Sequence, residues 1–353
     1  MWEEYAKIPN ASYDIYYCAQ IESDRKWQVP EARGIKEFFL KGLSIGKSKH
    51  LNLGILKIFK KYDLWIVGGY SIPSAQLLII LCKLFRIPYV IMFDGISPVK
   101  IHKKENWLKF TWKKFLVHGC TAWLGNGTVG KIYGKKLGIT GTKIYNQFLT
   151  VDIDRFKELS KRKQEIRLKI RKKLSIPIDA FVILYTGRLV KHKGVQDLIE
   201  IFEEISSVES NIYLLIVGHG IYENILKEKS ESYNNIHFKG NVEYQKIHEM
   251  YLCADLFVLP TYNDPWGLVI NEALACELPV ITTEAAGASV DLVNNKLIYN
   301  HGNTVQLKKI ITSFLFNKED NRIYVQDEFE RIKNFNFSNS RVELKKIIST
   351  LNK

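Results

Sequence analysis

Residues 259–281 read LPTYNDPWGLVINEALACELPVI. Leu259 closes a short apolar run, 256–259, of the kind that forms a buried parallel strand, and Val280 and Ile281 belong to another. Between them residues 260–266 are turn-rich, and Gly267 leads into LVINEALA, which reads as helix. Strand, loop, helix and strand in this order build parallel sheets covered by helices. In such units the loop at a strand's carboxyl end meets the ligand, because the first N–H groups of the following helix are unpaired and its dipole is positive there. The backbone amides of Gly267, Leu268 and Val269 are therefore candidates for facing an anion. Asp264 in the loop and Glu272 in the helix can bracket different parts of one ligand, and a carboxylate at 272 suits a ribose diol because it accepts two hydroxyl hydrogens.

The same alternation runs outward from this stretch. Strands are expected over 15–19, 64–67, 89–93 and 121–124, and again over 181–185, 213–217 and 236–238. Helices are expected over 73–85, 127–137, 195–203 and 245–253. A chain of 353 residues exceeds what one core usually supports, so two doubly wound α/β domains follow. The stretch 155–175, with ten Lys or Arg and few apolar residues, marks the change from one to the other.

A second turn, Tyr185-Thr-Gly-Arg-Leu-Val-Lys-His-Lys-Gly194, leaves a strand and delivers cations just before a helix. It is shaped for a diphosphate: Gly187 permits close backbone approach, Arg188 can fork two oxygens, and Lys193 adds a point charge beside the helix start. His192 and His219 lie in neighbouring turns and are as readily neutral surface residues. No nucleophile elbow, zinc-protease helix or P-loop string occurs. Asp152-Ile-Asp154 matches a short metal-binding pattern, but two aspartates alone make a weak ligand set.

These stretches resemble the family 4 (group 1) retaining glycosyltransferases of the GT-B fold, in which two Rossmann-like domains face each other across a cleft. The likeness rests on two acidic residues, Asp264 and Glu272, set in Asp-Pro-Trp-Gly-Leu-Val-Ile-Asn-Glu-Ala-Leu-Ala and followed by Pro279-Val-Ile281. The resemblance implies residues 1–160 as a basic acceptor-binding domain, 161–335 as a nucleotide-sugar-binding domain, and 336–353 as a C-terminal helix packing back toward the first. It also implies site roles: Arg188 and Lys193 neutralise the donor diphosphate, Glu272 holds the ribose, Asp264 lies beside the transferring sugar, and Gly267 and Leu268 supply backbone donors. Gly187, Gly218, Gly220 and Gly240 would line the donor cleft, Gly287 resembles the glycine after the next strand, and Asp94 is the first-domain residue expected to reach the donor sugar or acceptor. The donor, UDP- or GDP-linked, is then a substrate, with no cofactor and no metal required. Asp264 stands where the family more often has Glu, and Glu277 where it usually has glycine. The segment 1–7 reads as the helix that follows the family's first strand, so that strand is expected to be absent or upstream. A nucleotide-sugar epimerase of the same fold, or a non-catalytic donor-binding partner in polysaccharide assembly, are the alternatives.

Composition bounds the setting. The five cysteines are scattered and without CxxC spacing, which fits a reducing cytoplasm. The net charge is +14, and residues 1–150 hold 23 Lys or Arg against 10 Asp or Glu. An acidic partner is implied. For this kind of enzyme a lipid-linked or glycan acceptor at an anionic membrane surface is expected over nucleic acid, in capsule, exopolysaccharide or lipopolysaccharide synthesis. Within 100–118, Lys103, Lys104, Lys109, Lys113 and Lys114 interleave with Trp107, Phe110, Trp112 and Phe115. That pattern serves equally an interfacial helix and a core-packing helix with a solvated basic face.

Overall fold

The computed structural model describes residues 1–19, 34–45, 49–316 and 318–351. The chain forms two compact units. The first comprises Met1–Gly95, Lys103–Leu149 and Phe337–Lys353, and the second comprises Ile96–His102 and Thr150–Asn336.

In the first unit, β1 (Asp14–Tyr17) pairs in parallel with β2 (Lys36–Phe39), and β3 (Leu43–Ile45) pairs antiparallel with β4 (Lys49–Leu51). A four-stranded parallel sheet follows in the order β5 (Trp65–Gly68), β6 (Tyr89–Phe93), β7 (Ala122–Gly125) and β8 (Ile144–Asn146). The central run Tyr89-Val-Ile-Met-Phe93 is apolar throughout because both faces of the sheet are covered. Val90, Met92, Ala122 and Leu124 share one buried cluster with Tyr5, Ile8, Leu344 and Ile347. The N-terminal segment is helical over Trp2–Tyr5 and packs against helix Phe337–Ser349. Tyr5 Oη lies 2.7 Å from Ser340 Oγ, and Arg341 pairs with Glu4 at 2.8 Å. Among the described residues β5 forms an edge of this sheet, bonded to β6, while β1 belongs to its separate pair.

The second unit holds a six-stranded parallel sheet ordered β11 (Ile236–Gly240), β10 (Ile212–Val217), β9 (Phe181–Thr186), β12 (Leu256–Leu259), β13 (Val280–Thr283) and β14 (Ile298–Tyr299). The chain lays down β9, β10 and β11 toward one edge, then returns to place β12, β13 and β14 toward the other. The order reverses between β9 and β12, and in open parallel sheets ligands bind at that switch point, off the carboxyl ends of the strands. The two motif-bearing turns leave β9 and β12, on either side of it.

The charged stretch 155–175 is helical and lies within this unit, as helices Ile153–Ser160 and Lys163–Lys173. Asp152 caps the first, its side chain accepting from Arg155 N at 3.0 Å. Arg171, 1% exposed, is an anchor: it donates to Asp255 at 2.7 Å and to the carbonyls of Cys253 and Ala180 at 2.9 and 2.6 Å. Asp255 also accepts from Val182 N at 2.8 Å, so one carboxylate ties helix Lys163–Lys173 to β9.

Candidate functional site

The turns after β9, β10 and β11 lock together through their backbones. Gly187 N donates to Val217 O at 3.0 Å, Gly218 N to Gly240 O at 2.9 Å, and Leu189 N to His219 O at 3.0 Å. Gly218 has φ +136°, and a Cβ there would sit 1.9 Å from the carbonyl oxygen of Gly187, so no other residue allows this approach. A Cβ at Gly220 would sit 2.2 Å from the carbonyl oxygen of Leu189. Since the N–H groups of Gly187 and Gly218 are spent on neighbouring strands, these glycines contribute slimness rather than anion-binding donors.

The β9 turn is fastened across the switch point to the β12 loop. Gly194, left-handed at φ +69°, packs on the carbonyl of Pro260 and begins helix Val195–Ser206. Tyr262 N and Thr261 Oγ1 donate to His192 O at 2.9 and 3.1 Å. Lys193 Nζ meets Asp264 Oδ2 at 2.5 Å, and both side chains are largely buried. Arg188, in the same turn, is exposed. Burial, with Lys193 and Arg188 nearby, holds the His192 imidazole below its usual pKa. The three residues expected to manage a diphosphate and the adjoining sugar, Arg188, Lys193 and Asp264, thus come from facing turns of one sheet.

Asp264 is fixed by its backbone as well: its N–H donates to Ala285 O at 3.2 Å, and Gly287 N donates to its carbonyl at 3.1 Å. Gly267 is the left-handed N-cap of helix Leu268–Ala275, which has no side-chain cap. Leu268 is exposed and Val269 half-exposed at that start. Trp266 is buried, donating from Nε1 to Asn271 Oδ1 at 2.9 Å and stacking on Phe335.

Glu272 lies deeper than its sequence position suggests. It is 9% exposed, and burial pushes its carboxyl up to about 7, opposed by a hydrogen bond from Tyr251 Oη at 2.6 Å. Thr186 Oγ1, at the end of β9, lies 2.6 Å from the same Tyr251 oxygen. Burial thus favours the neutral form of this carboxyl more than water would, and either form can hydrogen-bond a vicinal diol.

Asp94 follows β6 in the first unit. Its carboxylate accepts from Gln147 Nε2 at 3.1 Å and its carbonyl from Asn126 Nδ2 at 3.3 Å. Sequence reasoning missed several participants. Tyr251 and Thr186, which position Glu272, stand 21 and 86 residues from it along the chain. Ser97 donates to Ala285 O at 2.6 Å from a segment that clusters with the second unit. Asn263, beside Asp264, has a buried Oδ1 without a hydrogen-bond partner among the described residues. Only Asn263 carried a signal, its place in the loop.

Residues 166–330 match the family Glycosyl transferases group 1. The chain is 29% identical over 238 residues to the putative teichuronic acid biosynthesis glycosyltransferase TuaC of Bacillus subtilis (strain 168), covering 67% of this chain and 57% of that relative. It is 38% identical over 122 residues to the capsular polysaccharide biosynthesis glycosyltransferase CapM of Staphylococcus aureus, covering 33% and 32%. The chain therefore spans less than two thirds of either relative. Among solved structures, Anabaena Alr3699/HepE in complex with UDP superposes with a TM-score of 0.71 over 90% of this chain and 86% of that one, at 18% identity. That likeness is one of fold, and the two α/β units are those of the GT-B class. The switch point, the glycine turns and the Asp264 to Glu272 motif all lie within residues 166–330, the stretch that matches the group 1 glycosyl transferases.

Proposed function

We propose that the chain is a retaining hexosyltransferase that moves a sugar from a UDP- or GDP-linked donor to a glycan or lipid-linked acceptor, in the synthesis of capsule, exopolysaccharide or lipopolysaccharide at the cytoplasmic face of a membrane. The observation that carries it is the Lys193–Asp264 pair bridging the turns of β9 and β12 at the switch point, with the uncapped helix start at Gly267 and the buried Glu272 on the same motif. The names of the polysaccharide relatives support the setting, and the UDP held by the HepE structure supports the donor class.

In this reading Arg188 and Lys193 take the diphosphate, helped by the amides of Gly267, Leu268 and Val269, and Lys193 exchanges Asp264 for phosphate oxygens when donor arrives. Gly187, Gly218 and Gly220 leave room for the nucleotide. Glu272, held by Tyr251, takes the ribose diol. Asp264 is left facing the sugar, and Asp94 contributes the acceptor-side contact of the first unit. The acceptor oxygen bonds to the anomeric carbon as the bond from that carbon to the diphosphate oxygen breaks. The bonding pair leaves with the diphosphate, and the acceptor proton passes to that leaving oxygen on the same face. Catalysis is then positioning and electrostatic stabilisation, without a resident metal.

The test incubates the full chain with UDP-glucose, UDP-galactose or GDP-mannose and a bacterial membrane lipid extract, following nucleoside diphosphate release and the glycolipid's anomeric configuration. Diphosphate release matched by a product of retained configuration is expected. An isomerised sugar nucleotide without transfer, or inversion at the anomeric carbon, contradicts the proposal.

A further inference from the structure

Helix Trp107–Val117 of the first unit is dressed the wrong way round for a helix that merely covers a sheet. Leu108, Trp112 and Phe115, at i, i+4 and i+7, share one face, and they are 59%, 43% and 48% exposed, with Trp107 at 71%. The inward side carries Leu116 and Val117, buried, with Phe110 and Lys113 half-buried. Lys113 is tied to Glu105 and donates to Tyr133 Oη at 3.1 Å. A sheet-covering helix turns its aromatics in and its lysines out.

The exposed stripe continues onto its neighbours. Trp112 Nε1 donates to Gln76 Oε1 at 3.3 Å, and Lys83 Nζ donates to the carbonyls of Phe115 and His118 at 2.7 and 2.6 Å while lying over the Phe115 ring. These bonds bring the end of helix Pro73–Leu84 alongside, with Leu84 and Phe85 at 71% and 50% exposure. Phe85 in turn packs on Phe59 beneath Lys60. Residues 51–150 hold 15 Lys or Arg against three acids, Asp63, Asp94 and Glu105, and Glu105 is occupied by Lys113 and Lys136.

We propose that this surface is an interfacial docking face for an anionic lipid bilayer, Trp107, Leu108, Trp112, Phe115, Leu84 and Phe85 entering the headgroup layer while the surrounding lysines meet lipid phosphates. Tryptophans flanked by lysines partition to that layer, where each has an apolar body and a wet end satisfied together. Charge decides the occupant. A second copy on this face would set lysines against lysines, and a nucleic acid leaves Leu84 and Leu108 with nothing apolar to bury against, whereas an anionic bilayer satisfies both sets of groups. Among the described residues no helix is long and apolar enough to cross a membrane, and the contact proposed here is one of surface side chains with the headgroup layer. The inference deepens the membrane setting of the proposed function but rests on the first unit's surface alone.

The experiment co-sediments the full chain with vesicles of phosphatidylcholine and with vesicles of phosphatidylcholine and phosphatidylglycerol in equal parts. Binding to the mixed vesicles is expected to exceed binding to the neutral ones by roughly tenfold or more and to fall with added salt. The double variant Trp112→Ser, Phe115→Ser should lose about tenfold or more, Trp112→Phe should keep most of the binding, and Lys103→Glu with Lys104→Glu and Lys109→Glu should lose the preference for the anionic lipid. Thermal unfolding and nucleotide titration of each variant show that it is folded. No binding of the wild type to the mixed vesicles, binding untouched by the double variant, or a dimer that the double variant dissolves would each overturn the assignment. Vesicle binding without nucleotide binding would leave this face standing and remove the glycosyltransferase reading; the reverse would remove this face alone.

Discussion

At the carboxyl ends of β9, β10 and β12 the polar groups arrive paired: Lys193 with Asp264, Tyr251 with Glu272, Tyr262 N with His192 O, and Gly218 N with Gly240 O. On helix Trp107–Val117 in the other unit the opposite holds, with apolar groups standing in water and a lysine drawn inward. The first region holds most of its charged and polar groups in internal pairs, with Asn263 Oδ1 and the helix start at Gly267 left over among the described residues. The second leaves a cluster of large apolar side chains exposed, the kind of patch that marks an interaction surface. Both sit on parallel sheets with covering helices, so fold alone does not assign their roles.

If that contrast is right, substitutions in the two regions should differ sharply in their structural cost. The largest effect is expected behind the site, at Arg171→Ala: it removes the donor to the carbonyls of Cys253 and Ala180 and one of the two arginine partners of Asp255, which keeps Arg167 at 2.7 Å, and should lower unfolding free energy by about 2–4 kcal/mol in denaturant titration. Trp112→Ser on the exposed stripe gives up only the Gln76 bond and the stack on Phe115 and should cost about 1 kcal/mol. A similar loss in both variants would erase the distinction.

A smaller effect follows from Glu272. Its folded-state pKa of about 7 lies above the ordinary glutamate value of 4.5, so between those pH values the folded chain binds more protons than the unfolded one. Stability is then greatest below the lower value and declines as pH rises through the upper, with a slope of up to about 1 kcal/mol per pH unit. Glu272→Gln should remove that component, visible as the wild-type minus variant difference in unfolding free energy between pH 5 and pH 7.5, on the order of the window just derived. A flat difference would mean the carboxyl is ionised throughout.

The smallest is at Glu277, where the family usually has glycine. The backbone there is left-handed, φ +53°, a conformation that costs a non-glycine residue about 1 kcal/mol or more. Glu277→Gly should therefore raise stability by about 0.5–1 kcal/mol, read as a higher unfolding midpoint.

What could be read from residues alone follows from how local each signal is. Continuous apolar runs such as 89–93 and 213–217 become strands because both faces are covered, and the observed Tyr89–Phe93 and Ile212–Val217 follow them within a residue. The turn 185–194 and the Asp264 to Glu272 stretch stand out in the sequence because glycine, charge and helix start fall within a few positions of one another, and the structure brings them to facing turns of one sheet. Arg171 does not stand out: inside a run of ten cations it reads as solvated charge, and only the fold shows the carbonyl cage around it. Nor does the Tyr251 bond to Glu272, nor the grouping of Ile96–His102 with the second unit, since both depend on distant parts of the chain meeting. The 107–117 helix was ambiguous for a different reason, because an apolar stripe has the same period whether it faces a core or a membrane.

The most direct test of the central claim is a calorimetric titration of UDP, GDP and their common sugars into the full chain, beside Lys193→Ala and the Trp112→Ser, Phe115→Ser double variant. Removing a charged partner of the diphosphate should weaken binding by roughly 10- to 100-fold in Lys193→Ala, while the double variant binds as the wild type does. A folded chain that binds neither nucleotide, or a Lys193→Ala variant that binds as tightly as the wild type, would contradict a donor site in the turns of the second unit.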